Sequence, residues 1–197
     1  MIAQILFQLT SALASVGRVN TSSHVVSRRC NALALGAVAA DFAVKFARTG
    51  RADFLVGLIL FAVLTARTLL ILGFSKIEGS VLRRRVACAV AFVVCALAST
   101  AGQFYLGTPP SPMTFLPLVG VGLGCLGEAS NNMPARRRCV LAMGCVMASF
   151  GLATGAWGLV FKNFVSDVGA TAYSMSRYRD WPLTANGVSL DQRKSAA

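Results

Sequence analysis

Charged residues are scarce in this sequence, and histidine is nearly absent. Only 13% of the 197 residues are charged and 55% are hydrophobic, whereas soluble domains carry about 25% charged residues. The single histidine, His24, and six cysteines without a CxxC pair give no basis for a zinc site or a disulfide framework. We therefore expect no metal, no cofactor and no separate soluble domain, and cysteines that act as small hydrophobic side chains.

Basic residues are also missing ahead of the first apolar stretch, since the first Lys or Arg is Arg18. A secretory signal peptide needs a basic segment before its hydrophobic core. Ala12-Leu13-Ala14 has the look of a cleavage site, but the missing basic segment favours an uncleaved first helix.

The sequence is rich in apolar stretches close to the length of about 20 residues that a membrane-spanning helix needs. Four are long and nearly free of charge, at 52–74, 85–106, 113–130 and 138–157. Three are short or interrupted by polar residues, at 2–17, 30–47 and 158–178. A count of five helices would discard the polar stretches, whereas we predict seven for the two reasons that follow.

The first reason is the placement of basic residues, which account for the net charge of +12. With seven helices, one side of the membrane holds the clusters at 28–29, 83–85 and 136–138, and the other side holds only Lys45, Arg48, Arg51 and Lys162. Cytoplasmic loops collect Lys and Arg, so the N-terminus is predicted outside and the C-terminus inside. This placement indicates contact with lipid headgroups rather than with nucleic acid.

The second reason is an internal repeat with an offset of about 110 residues. Arg28-Arg29-Cys30 recurs as Arg137-Arg138-Cys139, Val16-Gly17 matches Leu126-Gly127, and Arg67 matches Arg177. The predicted fold is thus an all-α membrane protein with two parallel three-helix repeats joined by a linker helix, a 3+1+3 layout. A single bundle at 1–179 comprises repeat one at 1–75, the linker helix at 84–106 and repeat two at 113–179. Residues 180–197 are predicted to form a disordered cytoplasmic tail.

Several short motifs resemble those of a known family. They are Phe115-Leu116-Pro117-Leu118-Val119-Gly120, the Arg-Arg-Cys entry to helix 6, Gly151 to Trp157, Arg177-Tyr178-Arg179 and Ala66-Arg67-Thr68-Leu69-Leu70. Over roughly residues 4–179, the chain is similar to the YgjV-type bacterial inner-membrane protein family. The resemblance implies a bacterial inner membrane and a layout like that of PnuC, SWEET and PQ-loop carriers. It implies no established biochemical activity.

Two polar stripes are the main candidates for a functional site. Gln4, Gln8, Ser11 and Ser15 share one face of helix 1, and Asn163, Asp167, Thr171 and Ser174 share one face of helix 7. Lipid cannot hydrogen-bond these groups, so both faces are predicted to point inward. The stripes are either hydrogen-bonding contacts between helices or the lining of a polar path. The substrate-path candidates are Gln8, Ser11, Asp167, Thr171, Asn163 and Asp41.

Other charged residues have simpler interpretations. Lys45 follows Asp41 by one helical turn, which predicts a local ion pair. Arg67 and Lys162 are each near enough to a helix end to snorkel to the membrane surface, and Glu128 is expected to pair with Arg136, Arg137 or Arg138.

Glycines at 122, 124 and 127 match GxGxxG. The match lies within an apolar helix rather than after a strand, so it predicts close helix packing instead of dinucleotide binding.

These patterns favour a small-solute permease whose partners are the lipid bilayer and a small polar solute, with small-residue faces that could also support a homo-oligomer. The alternative is a non-transporting membrane partner or lipid-binding subunit, which predicts no polar cavity between helices 1 and 7. An enzyme is disfavoured, because no nucleophile–base pair or acid pair stands at useful spacing and no catalytic residue is predicted.

Overall fold

The computed structural model describes residues 2–74, 80–107, 112–130, 132–154 and 157–178, and nearly all of them are helical. The helices are α1 Ile2–Val19, α2 His24–Thr49, α3 Ala52–Phe74, α4 Ser80–Leu106, α5 Pro112–Ala129, α6 Met133–Thr154, α7 Trp157–Lys162 and α8 Ala170–Arg177. A π-helical segment, Asn163–Gly169, joins α7 to α8 with helical backbone angles at both junctions, so these parts form one continuous seventh helix.

The described ranges contain no strand, which confirms the predicted all-α class. The predicted tail at 180–197 lies outside the described residues.

Local sequence signals begin and end α2. The Ser23 side chain accepts a hydrogen bond of 3.4 Å from the Val26 N–H, which caps the first turn. At the other end Gly50 has a φ of 63°, a left-handed conformation that suits glycine, and its N–H donates to the Phe46 carbonyl at 2.8 Å. Because α3 begins two residues later, α2 and α3 pack side by side.

Four helices, α1 to α4, are long and apolar enough to cross a membrane, and α5 contributes a shorter apolar helix, Phe115–Ala129. The two stretches predicted at 2–17 and 30–47 are therefore stronger candidates for membrane-spanning helices than the sequence indicated. The second of them lies within α2, which extends over 26 residues. Among the residues that the structure describes, the stretch predicted at 138–157 is not one of these four; α6 covers its first part. By length and composition these helices are compatible with a membrane protein.

The distribution of side chains fits that environment. Large apolar side chains point outward, including Leu13 at 73% exposure and Phe104 at 81%. The most completely buried side chains include Arg28, Arg136 and Asp41. A soluble protein places these groups the other way round, whereas lipid favours apolar groups on the outside and polar groups within the bundle.

The helices form a closed ring in chain order. Each helix packs against the next helix in the sequence, and α1 also packs against the π-helical segment and α8. We call one end of this ring the basic end. It contains the α1–α2 and α5–α6 connections and the last turn of α8, where Ser174 donates a hydrogen bond to the Val19 carbonyl.

Two arginines at the basic end, Arg137 and Arg28, donate hydrogen bonds to backbone carbonyls at corresponding places in the bundle. Arg137, at the start of α6, donates to the carbonyls of Val19 (3.2 Å) and Thr21 (2.9 Å) in the α1–α2 connection. Arg28, at the start of α2, donates to the Glu128 carbonyl (3.3 Å) at the end of α5. Arg137 therefore contacts the connection that leads into α2, where Arg28 lies. Arg28 contacts the end of α5, just before the connection that leads into α6, where Arg137 lies.

Glycines allow the same close helix contact in both parts of the chain. A Cβ atom on Gly17 would lie 3.2 Å from the Cys30 sulfur, and one on Gly127 would lie 3.1 Å from the Cys139 Cβ. Both glycines and both cysteines belong to the motifs that the sequence analysis compared.

The GxGxxG match lies in α5, as expected for a packing motif. A Cβ atom on Gly120 would meet the Met147 sulfur at 2.9 Å, and one on Gly124 would meet the Met143 sulfur at 3.4 Å. The small residues thus bring α5 close to α6, which confirms the packing interpretation.

Candidate functional site

A cavity of about 190 Å³ lies inside the ring of helices. We call it the central cavity; α1, α2, α3, α5, α6 and the seventh helix line it. One wall is apolar and includes Leu60, Leu64 and Met143. The charged residues that line the central cavity are Arg18, Arg67, Glu128, Arg136, Lys162 and Asp167.

A buried ion pair joins the first helix to the seventh. An Arg18 guanidinium nitrogen lies 2.6 Å from the Asp167 carboxylate, and both side chains are more than nine-tenths buried. The other terminal nitrogen of Arg18 donates to the Asn31 side-chain oxygen at 2.8 Å. Arg18 therefore connects α1, α2 and the seventh helix in one set of contacts.

Glu128 is the centre of the remaining contacts. One carboxylate oxygen accepts hydrogen bonds from Arg136 and from the Asn31 amide, the latter at 2.8 Å. The other oxygen lies 3.5 Å from the Arg28 Nε. The pairing of Glu128 with Arg136 confirms the sequence prediction. We call the chain of Asp167, Arg18, Asn31, Glu128, Arg136 and Arg28 the polar network.

Asp167 lies within the π-helical segment. The Ala170 N–H donates to the Val165 carbonyl five residues back, the spacing that defines a π-helix. Such segments are rare and often occur at functional sites. On the facing helix, a Cβ atom at Gly144 would lie 2.9 Å from the Asp167 Cβ. Only a glycine at this position lets α6 approach so closely.

Replacing Gly144 with alanine is therefore expected to push the π-helical segment away from α6 and to lengthen the Arg18–Asp167 contact. We expect a melting temperature lower by several degrees, in line with an overpacking cost of about 1–3 kcal/mol. Thermal unfolding of the purified protein in detergent would measure the change.

Gly73→Ala is the matched control, because a Cβ atom there meets nothing within 4 Å. If both variants melted at the same temperature, the close contact at Gly144 would not constrain Asp167.

Arg67 does not snorkel to the surface. Its side chain lines the central cavity and the residue is only 4% exposed. One terminal nitrogen donates to the Cys125 sulfur at 2.9 Å and the other to the Thr68 hydroxyl at 3.3 Å. Its Nε has no hydrogen-bond partner, and no carboxylate lies within ion-pair distance among the described residues.

Lys162 also faces inward. It lines the central cavity at the end of α7 rather than extending to the membrane surface. The described residues give its ammonium group no ion pair. Two cations without a carboxylate partner therefore line the same cavity.

Three of the predicted site residues line the central cavity, namely Ser11, Asn163 and Asp167. All four polar residues of the predicted stripe on the seventh helix are buried, so its inward orientation is confirmed.

The other three candidates do not line the central cavity. Gln8 is exposed, contrary to its predicted inward orientation, although its amide donates a hydrogen bond of 2.7 Å to the buried Asp41 carboxylate. Lys45 pairs with the same oxygen of Asp41 at 2.7 Å, which confirms the predicted local pair. Thr171 is completely buried but does not reach the cavity wall.

Sequence reasoning missed Asn31 and assigned Arg18 only to the basic side of the membrane. Asn31 is an amide inside an apolar stretch, and this mismatch was the signal that could have identified it. Its position between Arg18 and Glu128 links the two buried acids of the polar network.

Comparison of the chain with protein-family models, with curated proteins and with solved structures found no match. The resemblance to the YgjV-type family therefore stays a prediction.

Proposed function

We propose that this chain is a small-solute permease of a bacterial inner membrane, with its N-terminus outside and its C-terminus in the cytoplasm. The observation that carries the proposal is the central cavity. Buried charges are costly within a membrane and usually mark a path for a solute or ion. Here six charged side chains line one cavity of about 190 Å³.

We further propose the 3+1+3 layout, with α1–α3 and the last three membrane-crossing helices as parallel repeats and α4 as the linker. The repeated glycine–cysteine contacts and the reciprocal contacts of Arg28 and Arg137 support this arrangement. Parallel repeats are related by an axis along the membrane normal and can rock about a site between them.

In this layout the polar network acts as a gate at the basic end. Arg18 and Asp167 belong to different halves, as do Asn31 and Glu128. Rocking of the halves would break these contacts and open the central cavity toward the basic end. Because these contacts are formed in the structure, it corresponds to the state in which that gate is closed.

The alternative function is a non-transporting partner or lipid-binding subunit. It predicts that α1 and the seventh helix enclose no polar cavity. Ser11 and Ser15 of α1 line the central cavity together with Asn163 and Asp167 of the seventh helix. This shared lining favours the permease.

Water access to the central cavity gives a direct test. In a variant with the native cysteines replaced by alanine, Ser11→Cys is expected to react with a membrane-impermeant thiol reagent from one side of the membrane. Adding Asp167→Asn is expected to permit labelling from the opposite side, because the gate loses its ion pair. Gel-shift labelling in right-side-out and inside-out vesicles would measure both.

Leu13→Cys is the matched control, because Leu13 lies two residues away and points outward with 73% exposure. It should stay unlabelled in lipid. Comparing the metabolites of cells that lack or overproduce the protein would test transport itself. The permease proposal would be contradicted if Ser11→Cys reacted from neither side and the metabolite profiles were identical.

A further inference from the structure

The charges that line the central cavity do not balance. Among the described residues, four cationic side chains line it, Arg18, Arg67, Arg136 and Lys162, against two acids, Glu128 and Asp167. Arg18 pairs with Asp167, and Arg136 pairs with Glu128. Both acids are therefore paired. Arg67 and Lys162 line the cavity without a carboxylate partner among the described residues.

Arg67 is the more constrained of the two remaining cations. The long side chain of Lys162 can extend toward water. Only 4% of the surface of Arg67 is exposed. A buried charge without a counter-charge is strongly unfavourable. Its two acceptors are the Cys125 sulfur and the Thr68 hydroxyl, and neither is a carboxylate. Among the described residues, Arg67 therefore has no carboxylate partner.

Among the described residues that line the central cavity, buried donor atoms without a hydrogen-bond partner outnumber such acceptors, of which Glu128 Oε2 is one. The Nε of Arg67 and a terminal nitrogen of Arg136 have no acceptor, and the completely buried Ser11 hydroxyl has no partner. All three residues line the central cavity. Donors of this kind suit the oxygens of a carboxylate, and the arginine guanidinium binds carboxylates through two parallel hydrogen bonds.

Much of the remaining lining is apolar and includes Leu60, Leu64, Val121 and Met143. A bare inorganic ion would leave this surface uncovered. An engineered apolar cavity of about 150 Å³ holds a benzene molecule, so the 190 Å³ of the central cavity is sufficient for a ring-sized body with a charged end.

We propose that the central cavity binds a small organic carboxylate, whose charged end lies against Arg67 and whose apolar body lies against Leu64, Val121 and Met143. Lys162 adds a second positive charge that attracts the anion into the cavity. As a substrate assignment this rests on the proposed function, but the binding itself does not require transport.

Benzoate is a suitable probe, because it combines a carboxylate with a compact apolar body. The full-length protein would be purified in a neutral detergent without anionic lipid, and its melting temperature measured with increasing benzoate. We expect benzoate to raise the melting temperature by several degrees near saturation. Benzyl alcohol has a similar body without the charge and should produce little or no shift at the same concentration.

Arg67→Met is expected to abolish the benzoate shift, while Arg67→Lys keeps part of it, because lysine retains the charge but lacks the planar fork. Arg29→Met is the control, since Arg29 is exposed at the basic end and does not line the cavity. If Arg67→Met failed to fold, Lys162→Met would replace it, with an expected partial loss of the benzoate shift.

The inference would be overturned by equal shifts with benzoate and benzyl alcohol, or by an undiminished benzoate shift in the folded variants of Arg67 and Lys162. It would also be overturned if phosphatidylglycerol, and not benzoate, produced the Arg67-dependent shift, because the anion would then be a lipid headgroup.

Flux measurements separate this inference from the proposed function. Arg67-dependent benzoate binding without benzoate counterflow in proteoliposomes would support the carboxylate site and contradict the permease. Transport of a neutral or cationic solute by a protein that does not bind benzoate would support the permease and overturn the carboxylate site.

Discussion

Replacing Glu128 with glutamine is expected to cause the largest loss of stability among single substitutions in this protein. The carboxylate of Glu128 faces two buried arginines, Arg136 and Arg28, and also accepts a hydrogen bond from Asn31. Glutamine has the same shape but no charge, so both guanidinium groups would lose their anion. Breaking a buried ion pair by removing one partner costs about 3–5 kcal/mol, which corresponds to a melting temperature lower by about 10 °C.

Asp41→Asn provides the matched control for this measurement. Asp41 is as deeply buried as Glu128, but the side chain of its partner Lys45 is 34% exposed and can reach the membrane surface. The loss for Asp41→Asn should therefore be less than half of that for Glu128→Gln. Equal melting temperatures for the two variants would show that the polar network is not the main polar contribution to stability.

In the proposed permease, replacing Asp167 with asparagine is expected to have the largest effect on transport. This change removes the anion that holds Arg18 across the two halves at 2.6 Å. If the closed state of the gate loses about 3 kcal/mol, its population relative to the open state falls about 100-fold. Solute uptake by cells should fall by a similar factor, while membrane insertion is unchanged.

The same Asp41→Asn variant is the control for transport. It distinguishes the effect of losing a contact of the gate from the effect of losing any buried carboxylate. It removes a carboxylate that neither lines the central cavity nor pairs across the two halves of the bundle, because Gln8 and Lys45 lie in the same half. Uptake should stay within about twofold of the unmodified protein, since no contact of the gate is lost. A hundredfold loss in both variants would mean that Asp167 has no special position.

Features that depend on neighbours within one helix could be predicted from the sequence. Asp41 and Lys45 are one turn apart, so their pairing follows from helix geometry. The buried face of the seventh helix follows from the spacing of Asn163, Asp167 and Thr171. The exposure of Gln8 could not be predicted from spacing, because its contact with Asp41 joins two helices.

Features that depend on distant parts of the chain could not be predicted in this way. Arg18 and Asp167 are 149 residues apart, and Asn31 and Glu128 are 97 apart. Several arginines at the basic end were equally available to either acid. Only the order of helices around the ring decides which of them lie within reach.

The sequence by itself determined the helical class, the apolar outer surface and the scarcity of acids among many basic residues. These properties follow from composition and helical spacing, because each helix must hide its polar groups from lipid. Only the tertiary structure decided how the charges pair. It placed Glu128 and Asp167 against Arg136 and Arg18, and it left Arg67 at the cavity wall without a carboxylate partner among the described residues. The physical reason is that pairing requires contact between helices, and that contact depends on how the ring closes rather than on any local pattern.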